Sequence, residues 1–545
     1  MRQRWCRHVG FAVACALLAA TGCGGASEEA RARARGETVG NGANGTVAPA
    51  PLTGEVTDVD ETFDASTEPP AGRLTIGVAT DVATLDPHRA STDHSHFLSP
   101  VYDTLVQIGT DGTIIGGLAR EWTTVDPTTI ELDLEPQARF ADGAPVDADA
   151  VVWSLERGAA IVESPSAGVF AAILSSTAVD DHTVSIRLTE PNVSFLRELA
   201  GPAGMIVNPA AGDADLARAP MGSGPFTFDR AGSIEGVEYR YTVRADYWGR
   251  SAGVEELVYS IFGDTTARVN SFLDGQVDIA AELGPIELGQ LGERREDHQV
   301  ARDPAHVPGP GRPRRQPSEP LGDPRFARRS RWPSIASAST ALFQGGGIPT
   351  RSFWVDGSPY HSGDIVDLDL EDGQARAREL LAEAGYPDGF SFTVPTIEPL
   401  RPFNEAVRGS LAAVGIDMKI ELLQIGTMAG ELQDGKWVGR LTVARGITPA
   451  SFYADELASD APLNPFDNDR RAYDALAAEA LAAADENEAA ATWAELYDLA
   501  VRDGALIPIG PVVSGAAAAN HVEGAQMPPG ALIPNPRNIR VDGDG

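Results

Sequence analysis

All three cysteines of the 545-residue chain lie within its first 23 residues, which leaves its fold without disulfide bonds. Three arginines open the chain, and the apolar run 9–20 ends in small residues, a pattern typical of a secretory signal peptide over 1–22. Cleavage there removes Cys6 and Cys15 and leaves Cys23 as the only cysteine. The folded region must therefore be stabilised by packing alone.

The signal ends in Ala20-Thr21-Gly22-Cys23, which resembles a bacterial lipobox with Cys23 as the lipidated residue. The apolar run is too short to span a bilayer, whereas two or three acyl chains give stable anchoring. We therefore expect a protein on the extracytoplasmic face of the cell membrane, held there by its lipid anchor only. A lipobox prefers Leu where Ala20 stands, and cleaved secretion without lipid is the alternative.

Charge excludes several classes of function. The net charge of −35 repels nucleic acid and anionic membrane surfaces, so we expect neither as a partner. Lys419 and Lys436 are the only lysines, and neither stands in a phosphate-binding loop, which argues against ATP hydrolysis. Near-exclusive use of Arg as the cation indicates a GC-rich genome.

Hydrophobic periodicity predicts an α/β protein. Residues 23–72 carry no periodic apolar pattern and are interpreted as a flexible linker. Period-two alternation predicts strands at 74–78, 130–134 and 184–188, and Asp147 is placed to cap a helix. Strands interspersed with helices indicate an α/β fold.

Several short blocks then follow one another in a distinctive order. They are Thr84–Pro87, Leu118–Trp122, Phe140–Pro145, Asp149–Arg157, Gly222–Phe226, Asp246–Trp248, Phe272–Asp278, Leu380–Tyr386 and Leu411–Ile420. This series resembles the solute-binding proteins of ABC importers of the oligopeptide, dipeptide and nickel class, bacterial extracellular solute-binding protein family 5. The resemblance covers roughly residues 73–509.

The resemblance implies a two-lobed periplasmic-binding-protein-like fold of the cluster with an extra N-terminal subdomain. A ligand cleft would lie between lobes joined by crossing hinge strands. Lobe I would comprise 73–285, with a subdomain inserted at about 118–210, lobe II would comprise 286–505, and 506–545 would return to lobe I. Most blocks also have a structural interpretation: Gly143 suits a turn with positive φ, and Trp122 and Trp153 suit a core.

One segment departs from the family pattern. Ten arginines crowd into 294–331, among Pro and Gly residues and without periodicity. A disordered basic linker and a patch for an anionic partner are two interpretations of 294–340. We favour a third, a frameshift, because a shifted GC-rich reading of 326–337 can restore the helix text of the family. Lobe II would then lack one strand and one covering helix.

Ligand-binding candidates come from position within the resemblance. Arg445 stands in a stretch where peptide-binding members carry a Trp and an Asp, which favours an acidic or sugar-like ligand over a zwitterionic peptide. A surface cation without a ligand is the other interpretation of Arg445. Phe452 and Tyr453 could stack on a ligand or simply pack. Arg89, His94 and His96 lie in the loop that approaches the ligand. These histidines and His88 match no structural zinc pattern, so we interpret them as solvent-exposed loop residues and expect no metal and no cofactor.

The resemblance thus implies a binding protein and not an enzyme. It would act as a monomer that captures a small molecule or peptide and delivers it to the permease and ATPase subunits of an importer. An extracytoplasmic hydrolase is the alternative from another class, but Gly-x-Ser-x-Gly and His-Glu-x-x-His motifs are both absent from the sequence. A non-functional frameshifted receptor is the third possibility.

Overall fold

The structure is a computed structural model that describes most of the chain beyond residue 68. The described residues are 69–109, 112–162, 164–212, 215–292, 298–309, 353–354, 360–361, 373–383, 385–397, 400–424, 431, 437, 440–441, 448–459, 461, 470–483, 485–503, 505–527 and 533–541. Cys23, Arg445 and most of 294–340 lie outside these ranges. No helix in the described part of the chain is long and apolar enough to cross a membrane.

Seventeen strands are present in these ranges. They are β1 Arg73–Val78, β2 Val106–Ile108, β3 Ile114–Gly116, β4 Ala119–Asp126, β5 Thr129–Leu134, β6 Ile173–Ala178, β7 Thr183–Leu188, β8 Phe226–Ile234, β9 Glu238–Val243, β10 Glu256–Ile261, β11 Ile279–Leu283, β12 His298–Gly309, β13 Phe390–Thr396, β14 Ile416–Leu422, β15 Ile507–Ala519, β16 Val522–Glu523 and β17 Arg540–Val541. The three strands predicted from alternation are confirmed as β1, β5 and β7.

Eleven α-helices accompany the strands in the described ranges. They are α1 Ser95–Leu98, α2 Ala148–Ala159, α3 Ala167–Ala171, α4 Phe195–Glu198, α5 Thr265–Leu273, α6 Pro285–Gly292, α7 Gly373–Glu383, α8 Arg401–Ala412, α9 Pro449–Phe452, α10 Arg471–Leu481 and α11 Glu486–Asp503. The predicted cap is confirmed, since the Asp147 carboxylate accepts a hydrogen bond from the Ala150 amide at 2.9 Å.

The largest sheet has seven strands in the order β12-β15-β11-β1-β10-β9-β8. Its parallel centre consists of β1 with β10 on one side and β11 on the other. The chain leaves this sheet after β12 and comes back as β15, which lies between β12 and β11 and pairs antiparallel with both. Two neighbouring strands therefore carry the chain out of and back into the same sheet.

Strand β12 lies within the segment 294–340 for which the sequence analysis assigned no element. It pairs antiparallel with β15 along its whole length. The strand contains Pro304 and Pro308, which donate no hydrogen bond and are tolerated because β12 is an edge strand. The prolines break the alternation that would have revealed the strand in the sequence. The frameshift hypothesis for the rest of the segment stays a prediction.

Separate hydrophobic clusters stabilise different parts of the chain. One, which we call the insert core, joins buried residues between Leu105 and Ile206 around the four-stranded sheet β4-β5-β7-β6. A second, the helical core, joins buried residues between Phe353 and Leu506, mostly from α9, α10 and α11. Trp122 packs against the insert core and Trp153 against the core of the large sheet, which supports their structural interpretation.

Candidate functional site

The parallel strands of the large sheet end together at one edge. Ligands of open α/β sheets bind outside the carboxyl ends of such strands, where neighbouring connections diverge. Here the edge follows Val78, Ile261 and Leu283, with β10 and β11 on opposite sides of β1. This edge is therefore the candidate ligand site of the large sheet.

Two carboxylates fix the backbone at this edge. The Ala79 amide donates to Glu282 Oε2 at 2.5 Å, and Glu282 is the one non-glycine residue with a positive φ, 55°, in the described ranges. The Tyr239 hydroxyl donates to Asp81 Oδ1 at 2.8 Å. Arg268 donates to three carbonyl oxygens at the same edge, including that of Glu282. Strained backbone held by such contacts is characteristic of sites that must keep a defined shape.

The loop after β1 is fixed by an ion pair. Arg157 of α2 donates to both carboxylate oxygens of Asp86, at 3.0 and 2.6 Å, and lies 2.9 Å from His88 Nδ1. Burial, reinforced by the Arg157 charge, lowers the pKa of His88 to about 4. His88 is therefore a neutral core residue, and the expectation that it is an exposed loop histidine is wrong. The ion pair joins the blocks Thr84–Pro87 and Asp149–Arg157.

The three predicted ligand-binding residues of this loop are in different environments. Arg89 is exposed, and its Nε lies 3.6 Å from Asp86 Oδ2. His94 ends a short 3-10 turn and is partly buried. His96 packs on Tyr259, with ring centroids 5.3 Å apart, and burial lowers its pKa to about 3. Ligand contact by these residues stays a prediction.

The remaining candidates lie in the second half of the chain. Phe452 belongs to the helical core, with its ring centroid 4.9 Å from that of Phe353. The Tyr453 hydroxyl donates to Asp474 at 2.6 Å. These contacts support the packing interpretation of both aromatics, and a ligand role for them stays a prediction. Arg445 lies outside the described residues.

A buried carboxylate centre escaped the sequence analysis. Asp103, 1% exposed, accepts hydrogen bonds from four side chains that come from distant parts of the chain. The donors are Ser223 at 2.9 Å, Tyr247 at 3.0 Å, Trp248 at 3.0 Å and Arg537 at 2.5 Å. Burial and the Asp103 charge raise the pKa of Tyr247, which keeps its hydroxyl a donor.

The Asp103 centre explains two of the sequence blocks. Ser223 and Tyr247 belong to Gly222–Phe226 and Asp246–Trp248, so these blocks hold the fold together. A Cβ on Gly222 would lie 2.3 Å from the carbonyl oxygen of Val101, and only glycine allows that approach. The two blocks Gly222–Phe226 and Asp246–Trp248 occur together in the sequence. This co-occurrence is the signal that could have indicated a polar partner shared by both.

The side chains described above form ion pairs and hydrogen bonds that hold backbone groups in place, rather than a set of reactive side chains. Within the described ranges, no cluster of three or more His, Cys, Asp or Glu side chains could hold a metal ion. At the sheet edge, the carboxylates of Glu282 and Asp81 accept hydrogen bonds from the Ala79 amide and the Tyr239 hydroxyl.

The family comparison decides the class of the protein. The model of the bacterial extracellular solute-binding proteins, family 5, matches residues 113–326 and 336–461, more than half of the chain. The chain belongs to this family. The match to family 5 is interrupted at 327–335, inside the arginine-rich segment.

Individual proteins agree with the family 5 assignment. The chain is 28% identical over 388 residues to a probable D,D-dipeptide-binding periplasmic protein of Escherichia coli K12, covering 68% of this chain and 73% of the relative. A dipeptide-binding protein of Pseudoalteromonas sp. SM9913, in complex with Met-Leu, superposes with a TM-score of 0.73 at 21% identity, covering 86% of this chain and all of that one.

A second solved structure has a different ligand. The binding protein AgaA of Agrobacterium tumefaciens R10, in complex with agropinic acid, has a TM-score of 0.73 at 23% identity, covering 87% of this chain and 99% of that one. These likenesses confirm the predicted two-lobed periplasmic-binding fold. This family 5 protein is a solute-binding protein of the ABC-importer class, and its homologues are binding proteins of transporters.

Proposed function

We propose that this family 5 protein is a lipid-anchored, extracytoplasmic receptor that binds short peptides or peptide-like carboxylates for an ABC importer. The family match over more than half of the chain, with a D,D-dipeptide-binding relative at 28% identity, carries the proposal. The solute occupies the cleft above the carboxyl edge of β1, β10 and β11, and closed lobes present it to the permease.

The chemistry of the ligand follows from Arg445. A guanidinium pairs with a carboxylate in a bidentate geometry and repels an ammonium group. The solute is then recognised through its free carboxylate, whereas its amino group contributes little. Carboxylate recognition also accommodates an acidic, non-peptide solute, the class to which agropinic acid, the ligand of the AgaA complex, belongs.

Four related ligands separate these possibilities. The protein without its leader, with Cys23→Ser to keep it free of lipid, is unfolded, dialysed and refolded to remove bound solute. Calorimetry then compares D-Ala-D-Ala, Met-Leu, N-acetyl-Met-Leu and Met-Leu-amide. We expect the N-acetyl form to bind and the amide to lose at least about tenfold in affinity, since it loses a charge-assisted pair.

The variant Arg445→Met should remove the difference between acid and amide. Equal affinity for both in the unmodified protein would contradict carboxylate recognition. Binding of none of the four, with a cooperative melt that proves folding, would overturn the peptide proposal.

Anchoring rests on Cys23 and is tested separately. Cells fed a radioactive fatty acid should label the full-length protein and not its Cys23→Ala variant, because only a thiol at the cleavage site is acylated. The variant should also move from the membrane to the soluble fraction. Membrane association that survives Cys23→Ala would contradict an anchor at this residue.

A further inference from the structure

A short segment of the insert reaches the helical core. Phe195 and Leu196 of α4 are buried in the insert core, whereas Val193, just before them, packs against the helical core. The four residues 193–196 therefore join two hydrophobic clusters that otherwise lie in separate parts of the sequence. They form a contact between the insert and the helices of the second half of the chain.

Three polar contacts complete the junction. Arg197 donates from Nε to Glu486 Oε1 at 2.9 Å and from Nη2 to Oε2 at 2.7 Å, a bidentate pair. The Val193 amide donates to the Leu481 carbonyl at 3.0 Å. The Thr448 hydroxyl donates to Glu198 Oε1 at 2.6 Å.

Every group on the far side belongs to a helix end. Glu486 begins α11, Leu481 ends α10, and Thr448 caps α9. Helix ends carry amide and carbonyl groups without partners inside the helix, and water can satisfy them equally well. The Leu481 carbonyl can therefore exchange the Val193 amide for water when the contact breaks, whereas Glu198, whose pKa is raised by burial, must be hydrated as the contact opens.

The exposure of the ion pair agrees with a reversible contact. The Arg197 side chain is 19% exposed and that of Glu486 35%, so solvent reaches both. Arg197 Nη1 also donates to the carbonyl oxygen of Gly112 at 2.9 Å, which orients the guanidinium even when Glu486 moves away. Arg197 is therefore pre-oriented on the insert, whereas Glu486 moves with the helices of the helical core.

We propose that Val193, Arg197 and Glu198, with Thr448, Leu481 and Glu486, form an interlobe clasp that sets the fraction of closed molecules. The clasp acts before any solute arrives, by favouring the closed arrangement through contacts that the open one lacks. The clasp residues are positioning residues, because they act on solute capture through the position of the lobes and not through contact with the solute. The clasp rests on closure of the two lobes and not on which solute they enclose.

Single-molecule energy transfer on the ligand-free protein tests the clasp. Dyes are attached at Val125→Cys of β4, in the insert, and Leu422→Cys of β14, in the second half of the chain, two exposed strand positions, in the leaderless chain carrying Cys23→Ser. The charge reversals Arg197→Glu and Glu486→Arg are measured singly and together. Each single change should lower the closed fraction roughly tenfold, and the exchanged pair should restore it to within about twofold.

The matched control is Arg218→Glu. Arg218 pairs with Asp215 and Glu235 on the surface. The substitution therefore makes the same change of charge as Arg197→Glu without altering the clasp, and we expect no change in the distance distribution. Thermal melts verify that every variant is folded. If a reversal does not fold, the milder Glu486→Gln replaces it, with a loss of roughly threefold expected.

Ionic strength gives an independent readout on the unaltered pair. Raising NaCl from about 0.05 to about 1 M should open the parent protein and leave the Glu486→Gln variant less responsive, because salt screens partly exposed charges. A closed fraction unaffected by the reversals, or one that the exchanged pair fails to restore, overturns the clasp. No solute is added, so failure of the peptide proposal leaves these outcomes unchanged.

Discussion

The Asp103 centre and the interlobe clasp are both arginine–carboxylate contacts between distant parts of the chain, yet they differ in their exposure to solvent. Asp103 and Arg537 are 1% and 15% exposed, and the carboxylate has four donors. Arg197 and Glu486 are 19% and 35% exposed and lie at helix ends. A buried charge depends on all of its partners, whereas an exposed one can exchange them for water. The Asp103 centre therefore stabilises the fold itself, whereas the interlobe clasp stabilises one arrangement of the folded lobes.

The sharpest test of this comparison removes the buried carboxylate. Asp103→Ala leaves the buried Arg537 guanidinium without its counterion, although the carbonyl oxygens of Ser99 and Tyr102 still accept from it. It also leaves three neutral donors without this acceptor, and we expect the free energy of unfolding to fall by about 3–5 kcal/mol. Urea denaturation monitored by tryptophan fluorescence measures the change.

The control for Asp103 is Asp133→Ala. Asp133 pairs with Arg120 on the surface, where the side chains are 36% and 48% exposed, so the loss should stay below about 1 kcal/mol. Equal losses for the two aspartates would remove burial as the explanation.

An intermediate effect on stability is expected from a buried polar group that lacks a partner. The Nε2 atom of His96 is buried and forms no hydrogen bond. Its pKa is about 3 in the folded protein and about 6.5 when unfolded, so acid favours the unfolded chain, which binds the proton. Between pH 7 and pH 5 this histidine should cost roughly 2 kcal/mol of stability.

His96→Gln removes the titration. Denaturation at the two pH values should show a loss smaller by about that amount in the variant, while His88, whose pKa is also lowered, contributes with the same sign in both proteins. An unchanged difference between pH 7 and pH 5 would mean that His96 is protonated in the folded protein.

The smallest effect on stability is expected at the clasp itself. Glu486→Gln weakens one partly exposed ion pair, which contributes about 0–1 kcal/mol to the free energy of unfolding. Urea denaturation should scarcely detect it. A loss as large as that of Asp103→Ala would show that the clasp belongs to the permanent fold and would erase the distinction between the two contacts.

Local signals explain how much of the fold could be predicted. Alternation located β1, β5 and β7, the Asp147 cap located α2, and Gly143 has the positive φ, 86°, that its turn position required. These features depend on neighbours within a few residues. The order of the short blocks supplied the family, and with it the two-lobed fold.

Features built from distant residues escaped prediction. Asp103 meets Arg537 across 434 positions and Arg197 meets Glu486 across 289, and no local pattern marks either pairing. Strand β12 was missed because its two prolines hide the alternation. For Phe452 and Tyr453 the sequence left stacking and packing open, because a buried aromatic and a ligand platform have the same composition.

The position of Arg537 has a consequence for folding during synthesis on the ribosome. The first strand of the large sheet is made early, yet β15 in its interior and the arginine that neutralises Asp103 are translated after more than 500 residues. The N-terminal part of the molecule therefore cannot complete its core while the ribosome is still working on the middle of the chain. A polypeptide whose core is completed only by residues beyond 500 stays incompletely folded during most of its synthesis, which suits the export predicted from the pattern at 1–22.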